Sequence, residues 1–305
     1  MRNWMTVVVL AASVLSGASR ANAASVTVHV PGYSYAPFVT TSVNGPEDLE
    51  LDATGNLYLA EPGDVQRITP GGSVSPWSTA PAGDIVFTSG GDGYAAGAGI
   101  CDCIASVSAS GAFSTLHADS FEWTHVTLEP DGTLLANIWG GAGQGLYSID
   151  RLSGVPSLLL AGGPGPAGAG FYKSMLIGMD GKLYTCGSSG AEFGLFRLDG
   201  SAFVQIAAFP HGCFGLAQDN QGIFYTSMPI LPMFGTTVTH EVWMYDPNVG
   251  TAALLADGPG SSIAVAYDRA RNLLYVQNDS GVYIITKSAT PTRRETWSAV
   301  KAKFR

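Results

Sequence analysis

The stretch Asp48-Leu-Glu-Leu-Asp52-Ala-Thr-Gly55-Asn-Leu-Tyr-Leu59 decides the fold, because it joins two apolar strands through a turn that contains Asp and Gly. Clear copies of it recur at 125–136, 174–184 and 263–276. When the start of the first strand is taken as a marker, six copies begin 36 to 50 residues apart, at Glu47, Gly83, Thr124, Lys173, Cys213 and Ile263. Short strands repeated with this period are typical of β-propellers, whose four-stranded blades bury their faces against each other.

The repeats predict an all-β fold, a six-bladed β-propeller that occupies residues 24–287. The sixth copy lacks an outer strand of its own, because residues 288–292 have the composition of a linker. The early segment 25–30 has alternating apolar residues, and we predict that it completes the sixth blade. Such an N-terminal strand would close the ring and remove an exposed sheet edge.

Both ends of the chain differ in composition from the repeats. Residues 1–23 combine a positive start, a short apolar run and Ala21-Asn22-Ala23, which predicts a cleaved signal peptide and a secreted or periplasmic protein. An uncleaved anchor is the alternative. Residues 288–305 predict a linker and a short basic helix with Trp297, Val300 and Phe304 on one face. That helix could dock on the acidic body or on a membrane surface, or simply pack as a terminal helix.

Charge narrows the range of partners. Residues 24–287 carry eight basic and 23 acidic side chains, a formal net charge of −15. An acidic body argues against binding to nucleic acid, which requires a basic face. No segment after the leader is long and apolar enough for a transmembrane helix. We therefore expect a monomer that binds a small molecule or a protein partner.

Four cysteines remain in the mature chain: Cys101, Cys103, Cys186 and Cys213. An oxidising compartment favours disulfides over a metal site for these residues. We predict a Cys186–Cys213 bridge between the fourth and fifth blades, and a local bridge between Cys101 and Cys103. The alternative for each is a buried free thiol.

In a propeller, the starts of the innermost strands and the ends of the second strands open on one face around the central channel. We term this the channel face. The register predicts that Glu61, Asn137, Lys173 and Asn278 line it as ligand-binding residues. Asp48, Asp84 and His125 begin three consecutive blades, and two carboxylates with an imidazole could act as acid and base on a water molecule or bind a metal. The alternative is that these side chains only cap strand starts by accepting hydrogen bonds from backbone amides.

The segment Gly45-Pro46-Glu47-Asp48-Leu49, followed by 52–60, resembles the opening blade of six-bladed propellers of the NHL, SMP-30/gluconolactonase, strictosidine synthase-like and paraoxonase-like superfamily. In the lactonase branches of that superfamily a divalent cation, often calcium, lies at the channel mouth. The resemblance places Glu47 at the position of the family's glutamate, with Asp48 beside it as a second metal ligand. Where the family has Asn or Asp in later blades, this chain has Thr124, Lys173 and Cys213, which are poor calcium ligands.

These observations leave more than one function open. The first hypothesis is an exported platform that binds a ligand or partner across the channel face. The alternative is a calcium-dependent or other metal-dependent lactonase or esterase that uses Asp84 and His125. A lyase or condensing activity, found in other branches of the superfamily, is a third.

Overall fold

The computed structural model describes residues 26–41, 48–61, 63–80, 82–97, 101–138, 143–163, 171–188, 193–230, 239–262 and 264–288. These residues form six antiparallel sheets and contain no helix, which confirms the predicted all-β, six-bladed propeller. The described part of the chain accordingly offers no helix that could cross a bilayer. The predicted signal peptide and the predicted C-terminal helix lie outside the described residues.

The first three blades are each built from four consecutive strands. The first blade contains β3 (Asp48–Leu51), β4 (Leu57–Glu61), β5 (Asp64–Ile68) and β6 (Val74–Ser78). The second contains β7 (Asp84–Phe87), β8 (Gly93–Ala96), β9 (Cys103–Val107) and β10 (Phe113–Ala118). The third contains β11 (Trp123–Leu128), β12 (Leu134–Ile138), β13 (Gly145–Ile149) and β14 (Pro156–Ala161).

The last three blades include the two N-terminal strands. The fourth blade contains β15 (Phe171–Ile177), β16 (Leu183–Ser188), β17 (Phe193–Asp199) and β18 (Ala202–Phe209). The fifth contains β19 (Leu216–Gln218), β20 (Phe224–Ile230), β21 (Thr239–Asp246) and β22 (Thr251–Pro259), with β1 (Thr27–Val28) at its outer edge. The sixth contains β23 (Val265–Asp268), β24 (Leu273–Asn278) and β25 (Gly281–Lys287), with β2 (Tyr33–Thr40) outermost.

The outer strand of the sixth blade is not the predicted one. Within the segment 25–30, Thr27 and Val28 pair with Asp257 and Ala256 of the fifth blade. The strand that pairs with β25 is β2, which follows a turn at Gly32. Its alternating pattern is interrupted by Pro37, where the register shifts, because proline cannot donate a hydrogen bond to a ladder. Because of this interruption, β2 lacks the period-two alternation of apolar residues by which a strand is predicted from sequence.

The repeated motif has a local structural explanation. The Asp52 carboxylate accepts hydrogen bonds from the backbone amides of Thr54 and Asn56, at 2.8 and 2.9 Å, and from the Tyr58 hydroxyl at 3.0 Å. The same contact, from a turn aspartate to a tyrosine on the second strand, recurs between Asp180 and Tyr184 and between Asp219 and Tyr225. The aspartate therefore fixes the turn and also satisfies the polar end of a largely buried ring. The motif is a folding signal.

Packing between blades sets which side chains face which neighbour. Leu49 packs in a core cluster with Ala266 and Tyr275 of the sixth blade. Because side chains alternate along a strand, Asp48 and Glu50 point the other way, towards the second blade. The innermost strands contact one another in the order β3, β7, β11, β15, β19, β23 and back to β3. The ring of innermost strands is thus closed, and their starts surround one opening.

Candidate functional site

Three consecutive blades bring the predicted acidic residues and the histidine together on the channel face. The Asp48 carboxylate of the first blade accepts a hydrogen bond from the Ile85 amide of the second, at 3.1 Å. The Asp84 carboxylate of the second blade accepts one from the Val126 amide of the third, at 2.7 Å. The capping role that the sequence left as an alternative is therefore present, and each cap crosses to the next blade.

The hydrogen bonds to backbone amides are not the only contacts that these carboxyl groups make. Asp48 and Asp84 lie on neighbouring innermost strands, and burial, the charge of Asp84 and a hydrogen bond to it all raise the pKa of Asp48. On the other side of Asp84, its Oδ2 atom lies 3.4 Å from Nδ1 of His125. The His125 side chain is 19% exposed and that of Asp84 is 12% exposed, so the pair is sheltered but still reached by solvent. We call the series Asp48, Asp84 and His125 the channel triad.

Electrostatics within the channel triad favour one proton between the two carboxyl groups. Burial raises the pKa of Asp48 well above its usual value, and the charge of Asp84 and a hydrogen bond to it raise that pKa further. Hydrogen bonds from the Ile85 and Leu49 amides only partly oppose this. Two carboxyl groups so close cannot both be ionised at low cost. The Asp48–Asp84 pair therefore binds a proton more tightly than an isolated carboxyl group, and Asp84 is the member of the pair that faces the imidazole.

Glu50 belongs to the same cluster and was missed by the sequence analysis. Burial raises its pKa well above the usual value, and the charges of Asp48 and Asp84 add to the effect. The signal was available in the sequence, because a residue two positions after Asp48 on a strand shares its face. An acidic side chain on a face that packs against another blade is unusual enough to mark a site.

Asn137 lies on β12, directly opposite His125 on the neighbouring strand β11. It pairs with His125 across β11 and β12, so the two side chains share one face of the sheet. Asn137 is 0% exposed, and neither its Nδ2 nor its Oδ1 atom has a hydrogen-bond partner among the described residues. The Thr124 hydroxyl, one residue before His125, is also buried without a partner. Buried polar groups of this kind are rare in proteins and often mark a functional position.

The other predicted site residues lie on other strands or outside the described residues. Glu61 ends β4, and Lys173 lies in β15, where its side chain is not described. The Asn278 side chain accepts a hydrogen bond from the Ser280 amide at 3.0 Å and so stabilises the hairpin between β24 and β25. Glu47 lies outside the described residues. For these four residues the predicted roles stay predictions.

The described residues do not fit the cation that the resemblance implies. They contain no group of three or more His, Cys, Asp or Glu side chains that could hold a metal ion. Calcium requires six to eight oxygen ligands, and an oxygen of Asp48 is already bonded to a backbone amide. The acid and base groups of the described site are those of the channel triad.

The cysteine predictions had different outcomes. Cys101 and Cys103 are joined by a disulfide, as predicted. Cys186 and Cys213 are both buried and free, so the predicted bridge between them is wrong for this structure. The two thiols nevertheless lie in the same core cluster, and burial, followed by a hydrogen bond to Cys213, raises the pKa of Cys186. Each also has another partner: Cys186 Sγ lies 3.3 Å from Thr226 Oγ1, and Cys213 Sγ donates to the Gly194 carbonyl at 3.2 Å.

Comparison with known proteins supports the fold. No family model and no curated protein matches the sequence. Among solved structures, a gluconolactonase from Xanthomonas campestris shares 15% identity, with a TM-score of 0.58 over 77% of this chain and 82% of the other. A candidate gluconolactonase shares 14% identity, with a TM-score of 0.60 over 85% and 93%. The PQQ domain of pyranose dehydrogenase from Coprinopsis cinerea shares 12% identity, with a TM-score of 0.61 over 87% and 97%. The chain thus shares a propeller fold with these structures, and at these identities the likeness shows the fold alone.

Proposed function

We propose that the protein is a hydrolase of lactones or other carboxylic esters, with its active site at the channel triad. The observation that carries this proposal is the contact of Asp84 with the imidazole of His125 at 3.4 Å, beside Asp48, whose pKa burial raises. A carboxylate that contacts one nitrogen of a histidine ring orients the ring and stabilises its protonated form. The second nitrogen is then suited to act as a general base.

The reaction follows from this geometry. With Nδ1 directed at Asp84, Nε2 of His125 removes a proton from a water molecule as that water attacks the substrate carbonyl. The tetrahedral intermediate collapses with cleavage of the acyl C–O bond. The leaving alkoxide takes the proton back from the imidazolium, and a lactone opens to a hydroxy acid. The raised pKa of Asp48 limits the negative charge that collects around Asp84.

Two further observations agree with a hydrolase. Gluconolactonases are among the proteins that share this fold, although a shared fold does not by itself transfer an activity. In addition, the carboxamide of Asn137 has an unpartnered donor and an unpartnered acceptor on the same sheet face as His125. We propose that this carboxamide hydrogen-bonds the substrate.

The binding platform is the second candidate, and Asn137 is the observation that favours it. A buried carboxamide without a partner would be satisfied equally well by a ligand that is bound and released unchanged. Under either candidate we propose that the protein is exported, as the composition of residues 1–23 predicts.

The test is a screen of purified protein against a panel of lactones and aryl esters, followed by kinetics on two histidine variants. His125→Gln should lower kcat by at least about 100-fold, because general-base catalysis contributes 10²–10⁴. The matched control is His117→Gln. His117 also contacts an aspartate, Asp119, at 3.0 Å, but it lies on the outer strand β10. Absence of turnover across the panel, or equal rates for the two variants, would show that the hydrolase proposal is wrong, and ligand-induced thermal shifts would then test the platform.

A further inference from the structure

The Cys101–Cys103 disulfide lies on the channel face of the second blade. The strand β8 ends at Ala96 and β9 begins at Cys103, so the bridge sits where the second strand passes into the third. Asp84 pairs with Ala96, and Ala96 pairs with Ile104, the residue next to Cys103. The disulfide is therefore two strands outward from Asp84 at the same end of the blade.

This disulfide contributes little to the stability of the fold. A disulfide stabilises a fold mainly by restricting the unfolded chain, and the effect grows with the length of the closed loop. Here the two cysteines are separated by two positions, so the loop is very short. The second blade is moreover already held by the continuous pairing of β7, β8, β9 and β10. Little of the stability of the blade can depend on the bond.

The residue enclosed by the bridge has an unfavourable backbone conformation. Asp102 has a φ of 45°, and among the described residues only Asn272 is another non-glycine residue with positive φ. Aspartate tolerates the left-handed region better than most residues, but the conformation still has an energetic cost. Reduction of the bond would allow Asp102 to leave this conformation.

The two sulfur-bearing residues differ in access. Cys101 is partly exposed, whereas Cys103 is 1% exposed and fixed in β9 by pairing with β10 and by a hydrogen bond from the Gly97 amide to its carbonyl at 2.9 Å. Cys101 is thus the more exposed of the two cysteines and the one at which we expect an incoming thiolate to attack, with Cys103 as the thiol that reforms the bond. Accessible and strained disulfides are the ones that exchange readily.

We propose that Cys101 and Cys103 form a thiol–disulfide exchange site whose substrates are small thiols or protein dithiols. A substrate thiolate attacks Cys101 Sγ, the Cys101–Cys103 bond breaks, and Cys103 leaves as a thiolate that takes up a proton. A second substrate thiolate then attacks the substrate sulfur of the mixed disulfide and releases Cys101. Two substrate thiols are oxidised to one disulfide, and the protein gains two electrons and two protons as a dithiol. This activity is independent of the proposed hydrolysis.

The experiment uses the full-length native protein in mixtures of reduced and oxidised glutathione, followed by brief alkylation of the still-folded protein at neutral pH and mass spectrometry. We expect Cys101 and Cys103 to become reduced in millimolar glutathione while Tm falls by less than about 3 °C. Cys186 and Cys213 serve as an internal control, because both are buried and should stay unmodified as long as the protein is folded. Alkylation of all four cysteines together would show that reduction requires unfolding and would overturn the proposal.

A trapping variant tests the direction of attack. Cys103→Ser leaves the accessible Cys101 without its partner, and oxidised glutathione should convert it to a mixed disulfide with one glutathione per chain. Cys101→Ser leaves only the buried Cys103, which should react at least tenfold more slowly. Equal rates for the two variants, or a wild-type bridge that resists glutathione in the folded protein, would contradict the assignment. If a variant does not fold, reduction of the wild-type bridge by glutathione in the folded protein still tests the proposed exchange site.

Discussion

Replacement of Asn137 by leucine should make the protein more stable and less active. The Asn137 side chain is 0% exposed, and its Nδ2 and Oδ1 atoms are both unpartnered within the described residues. An unsatisfied buried polar group costs about 1–3 kcal/mol. Leucine has nearly the same shape and removes both groups. Allowing for a looser fit of the branched end, the free energy of unfolding should rise by about 2 kcal/mol.

The measurement is a thermal or denaturant unfolding curve together with kinetics on the best substrate of the panel. A gain of this size corresponds to an increase in Tm of about 4–8 °C for a domain of this length. If the carboxamide binds the substrate beside His125, kcat/KM should fall about tenfold or more, as expected when a hydrogen bond to the substrate is lost.

Ser227→Ala is the matched control. The Ser227 hydroxyl is also buried and unpartnered, in the middle of the second strand of the fifth blade, but it does not share a strand pair with His125. We expect its removal to stabilise the protein slightly and to leave the kinetics unchanged. A lower Tm for Asn137→Leu would refute the reasoning, because it would mean that the carboxamide has a structural partner and stabilises the blade.

Three further predictions concern stability. Burial lowers the pKa of His240, whose ring contacts the Gly260 carbonyl at 3.0 Å and the Tyr283 hydroxyl at 2.7 Å. The unfolded chain then binds the proton more readily, so stability should fall as pH drops below about 6.5, and His240→Asn should flatten that part of a Tm-against-pH profile. Burial raises the pKa of Glu50, so its ionisation opposes folding above its ordinary pKa. Glu50→Gln should therefore raise Tm at pH 8 but not at pH 3, and an equal change at both values would exclude a charge effect. The buried Asp219 carboxylate accepts hydrogen bonds from two turn amides and from the Tyr225 hydroxyl, so Asp219→Ala should cost about 3 kcal/mol in urea unfolding. A loss under about 1 kcal/mol would show that the motif is not a folding signal.

The sequence by itself determined the blade. The contacts that build each repeat join residues only a few positions apart, such as Asp52 with Asn56 and Tyr58. Hydrogen bonds between residues close in sequence, and alternating apolar residues, both produce patterns that can be recognised in the sequence. For this reason the blade number, the all-β class and the approximate strand positions could be predicted. The Cys101–Cys103 pairing, two positions apart, was predictable for the same reason.

The tertiary structure decided which residues meet between blades. Asp48, Asp84 and His125 lie about 40 residues apart in the chain, and their contact depends on the closed ring and on which way each strand start faces. The closing strand was misplaced because a bulge at Pro37 breaks the alternating pattern. Glu50 and the free Cys186–Cys213 pair likewise depend on packing between neighbouring sheets. Side-chain direction at such junctions is set by ring closure and local register shifts, and neither leaves a periodic signal in the sequence.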